Sequence, residues 1–250
     1  IKPVHPNQIL LALKKNLNHQ NLIAEKTTKN YQQEFGKITQ ELSQIRSYQE
    51  WTEFYKKMVF WELELESLED PSLLEIFQSQ KKEANSQFSR FIKSEYPSWM
   101  LGENSPILSH QLFQKGVLPN LTKEQPSLLL VIDNLRWDQW QIIAKTISSI
   151  YTIEREEAYF SILPTATAYA RNAFFSGLTP YEMHKRHPEW WVFDDEPDGK
   201  NKYEEDYLKS QIERYTNELS FSYNKITQLK QGQQLVKQLA NHAQEDLTVV

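Results

Sequence analysis

The chain has 250 residues, a mean hydropathy of −0.66, no cysteine and a formal net charge of −5 at pH 7. This length allows one large domain or two smaller units. The absence of cysteine excludes disulfides, cysteine-based zinc sites and a thiol nucleophile, and the acidic balance argues against undirected binding to the nucleic-acid backbone. No apolar run approaches the roughly 18 residues that span a bilayer, so we expect a cytoplasmic protein without membrane insertion. Because the chain lacks an initiator Met and stops on an apolar run, LTVV, we expect an internal piece of a larger protein.

The first hundred residues predict three helices, each with one apolar stripe. The stripe of the first helix alternates steps of four and three residues, over Tyr31, Phe35, Ile38, Leu42 and Ile45. Ser47 and Glu50 have the spacing of a capping box, which predicts the start of a second helix. Asp70 and Pro71 supply an N-cap and a first helical residue for a third, and Pro97 is expected to lie beyond its end. Three such stripes can be buried only against one another, which predicts a three-helix bundle.

Residues 98–126 interrupt this helical pattern and are interpreted as a connecting segment. Within it, Ser105 and Pro106 are expected to open one short helix that Gly116 closes. The run LLLVI that follows, residues 128–132, has five consecutive apolar residues. Such a run is typical of a strand that is buried on both faces, as in the parallel sheet of an α/β protein.

Asp133 stands where this predicted strand ends. Ligands of open α/β sheets bind beyond the carboxyl ends of the strands, and a carboxylate in that position can hold a hard or borderline cation. The alternative is that Asp133 only caps a helix that starts near Arg136. Further strands are predicted near residues 151–153 and 159–163.

The segment FSILPTATAYARNAFFSGLTP, residues 160–180, follows from the last of these strands. Its helix-forming part makes Thr167 the predicted N-cap, beside free backbone N–H groups that can bind an anion. Arg171 lies four residues later, one turn further along the same face, where its guanidinium could hold the anion's oxygens. Thr165 lies outside the helix and has neither advantage. The alternative is an ordinary Thr N-cap with a solvated Arg.

An acidic segment, residues 194–205, has EF-hand spacing at four loop positions, namely Asp194, Asp198, Gly199 and Glu205. Pro197 stands at the fourth position, and Asn201 stands where that loop has an apolar residue. No amphipathic helix leads into the segment. An acidic surface loop is therefore favoured over calcium binding.

Two further segments carry weaker signals. His184 and His187 are three residues apart and could share a helix face, but Pro188 ends any such helix, so a surface loop is favoured over a metal site. Residues 203–243 are interpreted as helix, with a break near Gly232.

The strand-end aspartate and the later motif PTxTxxxRxxFFSG resemble the alkaline phosphatase superfamily. There, a nucleophile begins a helix that ends in Ser/Thr-Gly. Counted from Thr167, the positions of Arg171, Ser176 and Gly177 match the sulfatase-type spacing. Tyr169 stands where sulfatases have proline, so the resemblance does not imply sulfatase activity. More narrowly, LLLVIDNLRWDQW together with ILPTATAYARNAFFSGLTP resembles the PglZ domain.

The start of the chain supports a narrower assignment. Ile1-Lys2-Pro3 followed by a helix resembles the end of a CheY-like receiver domain, in which Lys2 would be the switch lysine and Pro3 its partner. A receiver, a helical bundle and a PglZ domain occur in this order in the PorX-type response regulators of the type IX secretion system, which the chain resembles over nearly its whole length.

The resemblance implies an incomplete α/β alkaline-phosphatase-like (PglZ) domain, preceded by an all-α three-helix bundle and the last helix of a CheY-like receiver. The implied boundaries are the receiver end at 1–18, the bundle at 19–97, the connecting segment at 98–126 and the N-terminal part of the PglZ domain at 127–250.

The family's chemistry implies a role for each matching residue. Superfamily members bind two metal ions, usually zinc; Asp133 would ligate one, and Thr167 would bind metal and act as the nucleophile. Arg171 would stabilise the phosphate. The remaining metal ligands are expected beyond residue 250 and the phosphoacceptor aspartate upstream of residue 1.

The implied function is that of a response regulator with a zinc-dependent phosphodiesterase or phosphatase as its output domain. Expected partners are a sensor histidine kinase, a nucleotide or oligonucleotide phosphodiester substrate, a secretion-machinery or sigma-factor protein, and a second copy in a phosphorylation-dependent homodimer. The alternative is a phosphorylation-gated interaction module that retains the phosphatase fold without catalysis.

Overall fold

The computed structural model describes residues 6–68, 70–193, 196, 199–216, 219–238 and 244–250. Lys2 and Pro3 lie outside these residues, so the receiver assignment of the first residues stays a prediction. The chain divides into two compact units. The first comprises Ile1–Asn104 and Arg136–Glu154, and the second comprises Ser105–Leu135 and Arg155–Val250.

Helices make up most of the secondary structure, and the strands are short. The α-helices are α1 Pro6–Gln44, α2 Tyr48–Glu66, α3 Pro71–Met100, α4 Ser109–Leu112, α5 Trp137–Ile147, α6 Thr167–Ser176, α7 Pro180–Arg186, α8 Glu204–Tyr215 and α9 Leu229–Gln238. The strands are β1 Ser127–Leu129, β2 Phe221–Tyr223 and β3 Leu247–Val249. None of the helices in the described ranges is long and apolar enough to cross a membrane.

Helices α1, α2 and α3 pack around one apolar core, as predicted. Its buried members are Tyr31, Ile38, Leu42, Ile45, Trp51, Phe54, Met58, Trp61, Leu65, Leu73, Phe77 and Ala84. The Tyr31 hydroxyl donates to Gln80 Oε1 at 2.9 Å, so this buried phenol has a hydrogen-bond partner inside the core. Burial raises the pKa of Tyr31 to about 12, which keeps the phenol neutral.

The predicted helix starts of α2 and α3 are confirmed. The Ser47 hydroxyl accepts from the Glu50 backbone N–H, and the Glu50 carboxylate accepts from the Ser47 backbone N–H, which completes a capping box. The Asp70 carboxylate accepts from two backbone N–H groups of the first turn of α3.

The predicted end of α3 before Pro97 is wrong, because the helix continues to Met100. Proline removes only one hydrogen bond so close to a helix end. Trp99, in the last turn, is only 3% exposed and packs edge-on against Tyr48 and Phe91. Burial of this large ring outweighs the lost hydrogen bond.

Helix α5 belongs to the first unit and packs against α2. The Lys56 ammonium lies 5.0 Å from the centre of the Trp137 ring at the start of α5, close enough for a cation–π contact. Arg136 is its N-cap, and the Gln139 side chain accepts from the Arg136 backbone N–H. Asp133 is therefore not the cap of this helix, and the alternative that Asp133 serves only as its cap is wrong.

The second unit contains a three-stranded parallel sheet in the order β1–β3–β2. Pairing of β1 with β3 continues past the strand end, because the Val131 N–H donates to the Val250 carbonyl at 2.8 Å. Central β3 is buried.

The prediction that both faces of the first strand are buried is wrong for the described part of the chain. Leu128, Leu130 and Ile132 are 49%, 58% and 52% exposed, and the residues between them are half-buried. Successive side chains of a strand point to opposite faces, and only one of the two faces is covered here.

Other predicted elements also differ from the structure. Residues 151–153 and 159–163, all described, form no strand; Phe160 alone makes an isolated bridge to Leu108. The predicted helix over 203–243 is interrupted by β2, and Gly232 lies inside α9 rather than at a break.

The short helix α4 begins after the predicted start at Ser105 and Pro106. It opens at Ser109 and continues as a π-helical segment, Phe113–Val117, which contains Gly116 rather than closing before it. A single-turn 3₁₀ segment, Leu118–Asn120, follows.

Candidate functional site

Asp133 lies just beyond the carboxyl end of the β1–β3 pair, where the sequence predicted it. It occupies a turn with Asn134, whose φ of 57° is in the left-handed region that Asn tolerates. Its side chain is 48% exposed. The carboxylate is thus accessible from solvent at the sheet edge where α/β proteins bind ligands.

Thr167 is the first residue of α6, and the prediction that it is the N-cap is wrong by one residue. Ala166 has the extended backbone of an N-cap, with φ −61° and ψ 142°, and its carbonyl accepts from the Ala170 N–H at 2.9 Å. Ala166 has no side-chain acceptor, so its methyl caps nothing. The Tyr169 N–H also donates to the Ala166 carbonyl at 2.9 Å, whereas the N–H groups of Thr167 and Ala168 precede the first intrahelical hydrogen bond.

The start of α6 is tied to the loop that precedes α8. Asn201 donates from Nδ2 to the Thr167 carbonyl at 3.3 Å and to Asn172 Oδ1 at 3.0 Å. Asn172 in turn donates to the Lys200 carbonyl at 2.9 Å. These contacts hold the backbone of Thr167 through a residue that the sequence interpretation considered only as part of an EF-hand pattern.

Arg171 brings two acidic residues together. Its Nη1 lies 2.9 Å from Asp133 Oδ2, and its Nε donates to Glu204 Oε1. The Arg171 side chain is only 20% exposed. The alternative of a solvated Arg is therefore wrong, and the predicted residues Asp133 and Arg171 are in direct contact.

Glu204 is the site residue that sequence reasoning missed. Its side chain is 2% exposed, and Oε2 accepts from the Tyr223 hydroxyl at 2.9 Å and from Lys225 Nζ at 2.7 Å. Burial, together with the negative charge of Glu204, raises the pKa of Tyr223 well above its ordinary value, so the phenol stays a donor. A buried carboxylate is tolerated only when it is paired in this way.

A signal for Glu204 was present in the sequence. The buried residues of α8 follow helical spacing, as Glu204, Tyr207, Leu208, Gln211 and Ile212. An acidic residue that stands in the apolar stripe of an amphipathic helix is expected to be buried and therefore paired.

The Ser-Gly pair of the motif ends α6 and docks it on α8. Gly177 has a φ of 62°, and a Cβ there would lie 2.3 Å from Gln211 Oε1. Gln211 Nε2 donates to the Phe174 and Phe175 carbonyls at 2.8 Å each, and Arg214 donates to the Ser176 carbonyl. The glycine thus permits both the left-handed helix end and the close approach of α8.

The described residues do not by themselves form a zinc site. Among them, no group of three or more His, Asp or Glu side chains could hold a metal ion. Asp133 and Thr167 offer two oxygen donors, fewer than the three or four protein ligands of zinc sites, and Asp133 is already paired with Arg171.

The other two candidate metal segments have different roles where they are described. Asp194 and Asp198 of the EF-hand pattern lie outside the described residues, and Glu205 lies in the first turn of α8. His187 stacks on Trp190 with ring centres 4.2 Å apart, and burial lowers its pKa. His184 lies 5.7 Å from the Trp191 ring.

Two family models match the chain. One, described as the BREX system PglZ alkaline phosphatase-like domain, matches residues 112–250 and thus every site residue named above. The chain belongs to this PglZ family. The other, the PorX response regulator linker domain, matches residues 21–100, which include α2, α3 and most of α1. Together they make the chain a PorX-type regulator with a PglZ domain. A search of curated proteins gives no match.

Proposed function

We propose that the protein is a two-component response regulator whose PglZ domain hydrolyses phosphoric esters, as a zinc-dependent phosphodiesterase or phosphatase. The proposed substrates are nucleotides or oligonucleotides, and the proposed role is regulation of type IX secretion. The observation that carries the catalytic part is Arg171, held between Asp133 and buried Glu204 one turn after Thr167. The match to the PorX linker supports a sensor histidine kinase as the upstream partner.

In the proposed reaction, Thr167 Oγ1 attacks phosphorus as the ester P–O bond breaks, and the leaving oxygen takes up a proton. Water then attacks the phospho-threonine, which releases the phosphate product and restores the hydroxyl. The N–H groups of Thr167 and Ala168 at the start of α6, together with Arg171, would stabilise the charge on the phosphate oxygens. A guanidinium has five N–H donors, so contacts with two carboxylates leave Arg171 capacity for a phosphate.

Zinc dependence is part of the proposal because of the family. A bound divalent ion would lower the pKa of a hydroxyl or water that coordinates it. Asp133 and Thr167 are the two residues of this chain proposed to hold it. Removal of zinc by a chelator is therefore expected to abolish hydrolysis, and its return to restore it.

The test compares hydrolysis of bis(p-nitrophenyl) phosphate, with added zinc, by the wild-type protein, Thr167→Ala and Thr165→Ala. Thr165 is the matched control, because it is exposed and lies outside the helix two residues earlier. Loss of activity in Thr167→Ala alone, with the fold intact by circular dichroism, is the expected result. Equal rates in all three proteins would exclude Thr167 as the nucleophile.

An interaction module without catalysis is the second candidate. It is favoured by the pairing of Arg171 with both Asp133 and Glu204, which offsets the charge that a phosphate would need. Such a module would bind a secretion-machinery or sigma-factor protein when the receiver is phosphorylated. Wild-type protein that hydrolyses no phosphodiester but captures such a partner on phosphorylation would favour this candidate.

A further inference from the structure

We infer that Glu204 is a positioning residue, which orients the Arg171 guanidinium toward the phosphoryl group; the inference rests on the proposed function. The hydrogen bonds of Glu204 in the described residues go to Arg171, Tyr223 and Lys225 and not to Thr167, the proposed nucleophile. Glu204 therefore acts through Arg171. Its two carboxylate oxygens have different partners: Oε1 accepts from Arg171 Nε, and Oε2 accepts from Tyr223 and Lys225.

The geometry explains why this carboxylate can orient an arginine. Arg171 belongs to α6, Glu204 opens α8, and Tyr223 ends β2. Glu204 therefore links three elements at one point, and its own position is fixed by the two donors on Oε2. A contact at Nε leaves the two terminal nitrogens of a guanidinium on the far side of the group, which is the side that forms bidentate contacts with phosphate.

The charges favour a positioning role in addition to a stabilising one. A buried ion pair contributes little net stability compared with apolar residues of similar volume. Asp133 is half-exposed and also contacts Arg171. Without Glu204, the ion pair that remains for Arg171 within the described part of the chain is that with Asp133, on the side that the proposed reaction needs for phosphate.

The main experiment is a double-mutant cycle on hydrolysis of bis(p-nitrophenyl) phosphate, with Glu204→Gln in the wild-type and Arg171→Ala backgrounds. Glu205→Gln is the matched control, since it removes the same charge from the next, exposed residue of α8. A guanidinium misplaced by about 1 Å is expected to lower kcat by about 10- to 100-fold, with a smaller change in KM. In the Arg171→Ala background, Glu204→Gln is expected to change kcat little.

Two further measurements keep the result decisive if Glu204→Gln folds poorly. Tyr223→Phe removes one hydrogen bond to Glu204 and keeps the ring that packs on Phe175; it is expected to lower kcat in the same direction by a smaller factor. The ¹⁵N NMR signal of the Arg171 Nε–H, assigned with Arg171→Lys, reports the contact without any turnover. It is expected to be slowly exchanging in wild type and in Glu205→Gln.

The outcomes separate the inference from the proposed function. An equal fall in kcat in both backgrounds, or an unchanged kcat in Glu204→Gln, overturns the inference. If the wild-type protein is inactive, the proposed function fails, and the NMR signal decides whether Glu204 orders Arg171. If the Arg171 Nε–H signal is unchanged in Glu204→Gln, Glu204 does not order Arg171. If the signal is lost in Glu204→Gln but kept in Glu205→Gln, Glu204 does order Arg171.

Discussion

At the scale of single residues, the site depends on a balance between two cations and two carboxylates. Glu204 is buried and holds Arg171 and Lys225, whereas Asp133 is half-exposed and pairs with Arg171. The two acids are therefore not equivalent. Removal of the Glu204 charge leaves Arg171, whose side chain is only 20% exposed, without its buried partner, while water can take the place of the exposed Asp133 carboxylate.

We expect Arg171→Ala to lower the free energy of unfolding by about 3 kcal/mol, because it removes one partner of a buried carboxylate. Lys225 keeps the cost at the lower end of the usual range. Arg155→Ala is the control: its pair with Glu157 is more than half exposed on both sides, so its loss is expected to change the free energy of unfolding far less. Urea unfolding followed by tryptophan fluorescence measures both, and equal losses would contradict the assigned burial of Glu204.

At the scale of elements, local signals were sufficient for the helices of the first unit. The capping residues Ser47, Glu50 and Asp70 each act within three residues of their own position, so a short window of sequence contains the whole cause. Strand β2 is only three residues long and depends on pairing with β3, about 26 positions later. The alternation in LSFSY, residues 219–223, was its local signal, but the surrounding helical composition concealed it.

The candidate site, like the helices and strands, was predictable only where its signal is local in sequence. Asp133 and Arg171 were found because a strand end and a helix start mark them locally. The contact between Arg171 and Glu204 joins positions 33 residues apart, and no local rule pairs them. The position of Thr167 as first helical residue rather than N-cap is a difference of one residue, within the usual uncertainty of helix boundaries.

We expect Gly177→Ala to destabilise the protein by about 2 kcal/mol, since its φ of 62° is costly for any residue with a Cβ. The added methyl would also meet Gln211 Oε1 at 2.3 Å and push α8 away from α6. Gly199→Ala is the matched control in the same unit, because a Cβ there meets nothing within 4 Å. Thermal unfolding measures both variants, and a neutral Gly177→Ala would argue against the docking of α6 on α8.

The capping box of α2 is expected to make stability depend on acid pH. Hydrogen bonds from the Arg46 backbone, the Ser47 hydroxyl and the Ser47 backbone lower the pKa of Glu50 below its ordinary 4.5. The stabilisation is therefore complete above 4.5 and is lost as the pH falls through the lower pKa of the folded state. Unfolding midpoints measured below pH 6 should fall less steeply in Glu50→Gln than in wild type or in Glu66→Gln, an exposed control on the same helix. Parallel curves for all three proteins would contradict this.

At the scale of the whole molecule, the heptad seam of α1 bears on how a homodimer could form. A heptad pattern often marks a coiled coil between chains, but Tyr31, Ile38, Leu42 and Ile45 are buried within the bundle of their own chain. The part of the seam that these residues form is therefore occupied, and a dimer through it would require the bundle to open.

We therefore expect a phosphorylation-dependent dimer to leave this core intact. In the full-length protein, beryllofluoride is expected to raise the mass measured by light scattering from one chain to two. Ile38→Ala is expected to lower the unfolding midpoint, since it leaves a cavity at a fully buried position, without changing the mass under either condition. An exposed residue of the same helix, as in Lys37→Ala, provides the matched control. If Ile38→Ala abolished the dimer while the bundle remained folded, the seam would have to pair between chains, and equal masses with and without beryllofluoride would exclude the dimer itself.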